Sequence, residues 1–139
     1  MKIKSTVVCA LTLLLLVGCG GAKYVEEKTV LTSVTKAMET FTSSIVSADT
    51  PEAVAGLIGT FAGQIEKVAP KMKAMTEAHP EWEDNPPKEL EAEFDKFKSA
   101  SSEFQSVALP KAMQFAQQYA DNPALQSALE KFSSVMSQL

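Results

Sequence analysis

Arginine is absent from this chain, histidine occurs once, and cysteine twice. Arginine is the preferred donor to phosphate and to base edges, and an acidic surface repels a nucleic-acid backbone. From residue 19 onward the chain has 11 lysines against 17 carboxylates, a net charge of −6, so nucleic-acid binding is excluded. The lone histidine, His79, leaves nothing from which to assemble a Ser–His–Asp or Cys–His set, and no Gly-x-Ser-x-Gly elbow occurs. An enzyme is therefore not expected. Both cysteines, Cys9 and Cys19, fall near the start. The rest has no thiol and cannot form a disulfide, so its stability must come from an apolar core. A run of about 20 apolar residues, long enough to span a bilayer, is also missing.

The longest apolar stretch is Val7 to Val17, preceded by Lys2 and Lys4 and followed by Gly18, Gly20 and Gly21. Its length and basic flank fit a secretory signal peptide. At its end stands Leu16-Val17-Gly18-Cys19, which resembles the bacterial lipobox: an aliphatic residue, a tolerant position, a small residue, then cysteine. The resemblance implies cleavage after Gly18, diacylglycerol on the Cys19 sulfur and acylation of the new amino group, with palmitate among the usual chains. The small residue gives a peptidase access, and the thiol is the nucleophile for the thioether. Two or three acyl chains anchor stably where one does so marginally. Position 20 is Gly and not the Asp that in Gram-negative lipoproteins signals inner-membrane retention. The same resemblance thus implies the outer membrane, facing the periplasm or the cell surface. The expected division is a signal peptide 1–18, a lipidated tether 19–23 and one helical domain 24–139. Gly20 to Tyr24 reaches at most about 18 Å, which keeps the domain against the lipid.

Prolines divide the domain. Ala48-Asp49-Thr50-Pro51 and Ala120-Asp121-Asn122-Pro123 each offer a capping side chain followed by proline at the first helical position. The segment 79–87, His-Pro-Glu-Trp-Glu-Asp-Asn-Pro-Pro, is too proline-rich for helix. Between these breaks apolar residues recur at helical spacing. The first stripe is Val30, Leu31, Val34, Met38, Phe41 and Ile45. The second is Val54, Leu57, Ile58, Phe61, Ile65, Val68, Met72 and Met75. The third is Leu90, Phe94, Phe97, Phe104, Ala108, Ala112, Phe115 and Tyr119, and the fourth Leu125, Leu129, Phe132, Met136 and Leu139. Pro70 and Pro110 fall opposite their stripes and predict outward-facing bends. The fold class is all-α: an antiparallel four-helix bundle made of two helical hairpins, 24–78 and 87–139, whose short turns make sequence neighbours pack together.

Bundles often house cofactors, but the Glu-x-x-His pairs of di-iron proteins and the Cys-x-x-Cys-His of covalent haem are absent. The topology resembles the haem-binding four-helix cytochromes, yet the last helix lacks the histidine ligand; no cofactor is expected. Met72, Met75 and His79 share one helical face, and thioether with imidazole suits copper(I); the methionines equally continue the core stripe. Trp82 lies among Glu81, Glu83, Asp84, Glu89, Glu91, Glu93 and Asp95, and either caps the core or anchors a partner. Gly56, Gly59 and Gly63, beside Ala55 and Ala62, form a smooth face on the second helix, away from its stripe. That face suits close approach by a partner, or is a weak exposed helix surface. Two readings remain: a membrane-anchored, non-enzymatic binding or structural lipoprotein of the envelope with an envelope-protein partner, or a periplasmic carrier of a small ligand or copper-type metal.

Overall fold

The computed structural model describes residues 23–138. The signal peptide, the lipobox Leu16-Val17-Gly18-Cys19, the start of the tether and Leu139 lie outside the described residues. Within 23–138 every regular element is helical: α1 (Val25–Val46), α2 (Pro51–Ala78), a 3-10 turn (Pro80–Glu83), α3 (Glu91–Glu103), a π-helical turn (Phe104–Ala108), α4 (Leu109–Gln118) and α5 (Pro123–Met136). Residues 91–118 are helical without interruption, so there are four helical stretches. None of the described helices is long and apolar enough to cross a membrane.

The proline turns are capped as their residue types dictate. Thr50 Oγ1 accepts from the Ala53 amide at 3.2 Å, and Asn122 Oδ1 accepts from the Leu125 amide at 3.0 Å. Each bond satisfies one of the donors left open at a helix start. Asn122 also donates to Glu52 Oε1 at 2.8 Å, which joins the two turns. Pro70 is exposed within an unbroken α2. Pro110 is exposed too, but the bend that accommodates it is a full π turn: the Leu109 amide donates to Phe104 O, five residues back. Proline has no N–H, and its ring crowds the carbonyl four residues earlier; widening the preceding turn relieves that crowding.

Contacts along the helices set their directions. Glu26 pairs with Lys71 at 2.7 Å and Phe41 meets Phe61, so α1 and α2 run antiparallel. Lys28 pairs with Glu93 at 3.1 Å and Phe41 meets Phe104, so α1 and α3 run parallel. Glu52 bonds Asn122 and Glu66 lies 3.8 Å from Lys131, so α2 and α5 also run parallel. The expectation that the turn before Pro123 would pack the last helix on its predecessor is corrected here: α5 makes its main contact with α2. The cause lies in α2, where Ala55, Ala62 and Ala69 are buried and form a smooth flank that a second helix can approach closely.

The first stripe is buried throughout, and most of the second and third. The fourth is shifted: Ala128 and Val135 are buried with Leu125, Leu129 and Phe132 are half-buried, and Met136 is exposed. One core runs through all the helices, and a smaller cluster of Leu31, Met75, Trp82, Leu90 and Phe94 closes the end nearest residue 24. Two hydroxyls inside the core, Thr35 Oγ1 and Thr42 Oγ1, have no hydrogen-bond partner. A buried hydroxyl without a partner costs free energy that an apolar group of the same shape does not. Thr35→Val and Thr42→Val should each raise stability by about 1 kcal/mol. The check is a higher urea midpoint with an unchanged slope.

Candidate functional site

The end of the helices nearest Tyr24 is organised by Trp82. Pro80 starts the 3-10 turn that swings the indole back over the core, and the Trp82 amide donates to His79 O at 3.1 Å. The His79 imidazole stacks on the indole, with centroids 3.8 Å apart and planes 4° from parallel. Tyr24 meets the indole edge-on at 5.2 Å. Tyr24 has φ 63°, a left-handed conformation that a bulky residue rarely adopts. The ring contact with Trp82 and the Lys23 ammonium, 4.9 Å from the Tyr24 ring, hold it there. The hydrogen bond to Tyr24, then its charge and that of Glu89, raise the Lys23 pKa above the ordinary lysine value. Close by, the hydrogen bond and charge of Lys71 hold Glu26 below the usual carboxylate range.

Trp82 is only 6% exposed. Its candidacy as a free surface anchor for a partner is therefore corrected: of the two roles its sequence context allowed, it fills that of a core cap. Proline rigidity at 80 and the aromatic neighbours at 24 and 79 draw it inward from the acidic segment. Around it Glu93 is the one acid turned in: it is 15% exposed and pairs with Lys28 through Oε1, while Oε2 has no partner.

Beneath the indole, α2 and α3 stand apart, and a cavity of about 380 Å³ lies between them. Met72, Met75 and His79, at i, i+3 and i+7 along the chain, all line it, together with Trp82, Phe94 and Phe97. Its rim is polar, with Glu83, Lys98, Ser101, Ser102 and Gln105. Met75 is buried, whereas Met72 and His79 are half-buried; His79 Nδ1 lies 3.5 Å from Glu81 Oε1. Among the described residues no group of three or more His, Cys, Asp or Glu is placed to hold a metal ion. A second, almost wholly apolar cavity of about 220 Å³ adjoins the first, with Met72, Phe97, Ser101 and Gln105 common to both walls. The α3 wall was not singled out from sequence, although a signal existed. The third stripe has no large apolar side chain between Phe97 and Phe104: its inward positions there carry Ala100 and Ser101.

The glycines of α2 divide. Its small-residue side is the side along which α5 lies, as the Glu52–Asn122 and Glu66–Lys131 contacts establish, and a Cβ on Gly63 would sit 3.9 Å from Lys131 Nζ. The flanking Ala55 and Ala62, read as part of an open face, are instead core residues covered within the chain. A Cβ on Gly56 or Gly59 would meet nothing within 4 Å.

In comparisons with known proteins, no family model, curated protein or solved structure matches the chain.

Gly56 is exposed in a helix interior with open space around its missing side chain. Gly56→Ala should therefore stabilise the fold by about 0.5–1 kcal/mol, through the smaller conformational freedom of the unfolded chain. A thermal melt shifted upward by a few degrees is the expected result.

Proposed function

We propose that this chain is a lipid-anchored, non-enzymatic binding protein of the bacterial cell envelope, tied to the membrane through acyl chains on Cys19. The observation that carries the reading is Leu16-Val17-Gly18-Cys19 at the end of an eleven-residue apolar run with a basic start. The domain beyond that cysteine is stabilised without thiols, as suits a chain whose cysteines are consumed at the N-terminus. Tyr24, locked against Trp82, ties the start of α1 to one end of the helices, a few residues from the anchor. In this reading the helices form a four-helix bundle in which α1 packs on both α2 and α3 and α2 packs on α5, and the end carrying Trp82 lies against the lipid. In a Gram-negative host Gly20, standing where an aspartate would retain the chain at the inner membrane, supports an outer-membrane anchor, and the flank of α2 at the exposed Gly56 and half-buried Gly59 is available to an envelope-protein partner.

The anchor is tested by mass spectrometry of protein from a bacterial host. The expected N-terminus is a Cys19 carrying diacylglycerol and an amide-linked chain, and Cys19→Ser should shift the protein from the membrane to the soluble fraction. An N-terminus at Met1, or a Cys19 without added mass, would overturn the reading.

A second reading, a periplasmic carrier of a small ligand or of copper, is favoured by one specific observation: Met72, Met75 and His79 line a single cavity. Two thioethers and an imidazole form a soft donor set suited to copper(I). Titration with copper(I) should then show one site, weakened about tenfold or more in Met75→Leu, since soft sulfur ligands determine that preference. Binding unchanged by the substitution, or none at all, would remove copper and leave the cavity to an organic ligand.

A further inference from the structure

We infer that the cavity between α2 and α3 and the apolar one adjoining it, which α1, α4 and α5 also line, form a binding site for one long acyl chain. The inference deepens the ligand-carrier reading and makes use of the anchor reading, but its own test depends on neither copper nor lipidation. The two spaces share Met72, Phe97, Ser101 and Gln105, so the side chains of Met72 and Phe97 are the partition between them. Methionine is unbranched and flexible, and can yield to a chain passing through. Along α2 the joint lining runs from His79 to Phe61, a distance of roughly 27 Å at 1.5 Å per residue. An acyl chain occupies half of the bilayer hydrocarbon, about 15 Å, and fits within that length.

The chemistry changes along this path as an amphiphile requires. The outer space carries His79 and Glu83 at the end nearest Tyr24, and Lys98, Ser101, Ser102 and Gln105 farther along the facing wall. The second space is walled by Val34, Met38, Phe61, Ile65, Phe104 and Leu109, with the exposed Met136 at its edge. Together the two volumes, about 380 and 220 Å³, are within the range of small-molecule sites, which are mostly apolar with a few polar groups at one end. Lys98 and Glu83 line the same outer space, so it selects no one head-group charge; the apolar chain is what the site recognises.

Position supplies the ligand. Trp82 roofs the mouth and holds Tyr24, and Cys19 precedes Tyr24 by a tether of at most about 18 Å. In the anchored protein the mouth therefore faces acyl chains, which come either from free fatty acids and lysolipids or from Cys19 itself.

Trp82 is the only tryptophan, and it lines the site, so its fluorescence reports occupancy directly. Brominated stearate titrated into the full-length Cys19→Ser chain should quench Trp82 saturably at one equivalent. Unbrominated competitors should reverse the quenching more strongly as they lengthen, roughly fourfold per methylene until the cavities are full. Ser101→Phe, placed in the wall common to both cavities, should weaken binding by about tenfold or more through overfilling. Ser101→Leu, a smaller intrusion, keeps the comparison available if the phenylalanine variant does not fold. Absence of saturable quenching would overturn the proposal, as would quenching unchanged in whichever Ser101 variant retains the wild-type helical circular dichroism. The same titration of lipidated protein separates the two sources. Quenching equal to that of Cys19→Ser identifies free acyl chains, and a site already closed to the probe identifies a chain on Cys19. A Cys19 found without lipid would end the anchor reading while leaving the quenching result intact.

Discussion

Three phenyl rings carry the fold. Phe41 of α1, Phe61 of α2 and Phe104 of the π turn lie within 5.1–5.6 Å of one another, and each is nearly inaccessible to solvent. Aromatic pairs at such distances add about 0.5–1.5 kcal/mol beyond their buried area. In a domain with no disulfide among its described residues, and with mostly exposed ion pairs worth about 1 kcal/mol or less each, this contact ties three elements at one point. Phe132 joins from α5 at 6.0 Å from Phe61. Each of the four helical stretches is thus fixed to the others through one aromatic centre, and the ends of the bundle are organised outward from it.

The π turn belongs to the same constraint. Phe104 begins the widened turn, and Ala108 ends it fully buried. A standard helix through Pro110 would crowd the proline ring against the carbonyl of Ser106. An abrupt break would separate Phe104 from Phe115 and lose one side of the core. Widening a single turn keeps both on the inner face and sends Pro110 to solvent. Mid-helix irregularities of this kind mark strain that the surrounding packing tolerates, and here the packing is the Phe41–Phe61–Phe104 contact.

Much of this was legible from residue spacing. Helix type and three of the four apolar stripes follow from recurrence at three and four residues, since that periodicity is a property of the chain alone. The caps at Thr50 and Asn122 were legible for the same reason, because a cap is a contact within four residues. What could not be read was which helices touch. A short turn constrains only the ends it joins, and α5 leaves α4 for α2 because Ala55, Ala62 and Ala69 leave room there, a property of two distant faces together. The shift of the fourth stripe from Leu129 and Met136 to Ala128 and Val135 follows from that partner. At the candidate site the sulfur and imidazole groups on α2 were visible as a spacing. The opposite wall was visible only as a lack of bulk at Ala100 and Ser101, which acquires meaning when α3 is placed across from α2.

That lack of bulk explains why the cavity exists at all. On α2 the three directions are served differently: a flank of large residues faces α1, a flank of alanines admits α5, and the remaining direction is spanned by Met72 and Met75 reaching toward α3. Interiors normally close such gaps, because atoms facing a void forgo dispersion contacts on that side. A larger side chain at Ser101 would fill part of this one, yet the wall facing α2 carries Lys98, Ser101, Ser102 and Gln105, none of them apolar. At the end nearest Tyr24, His79 and Tyr24 pack on Trp82, so the residues that hold the start of α1 also cover part of the open volume. Stability alone favours filling that volume. An acyl chain bound there would account for the open volume, since small-molecule sites are mostly apolar with a few polar groups.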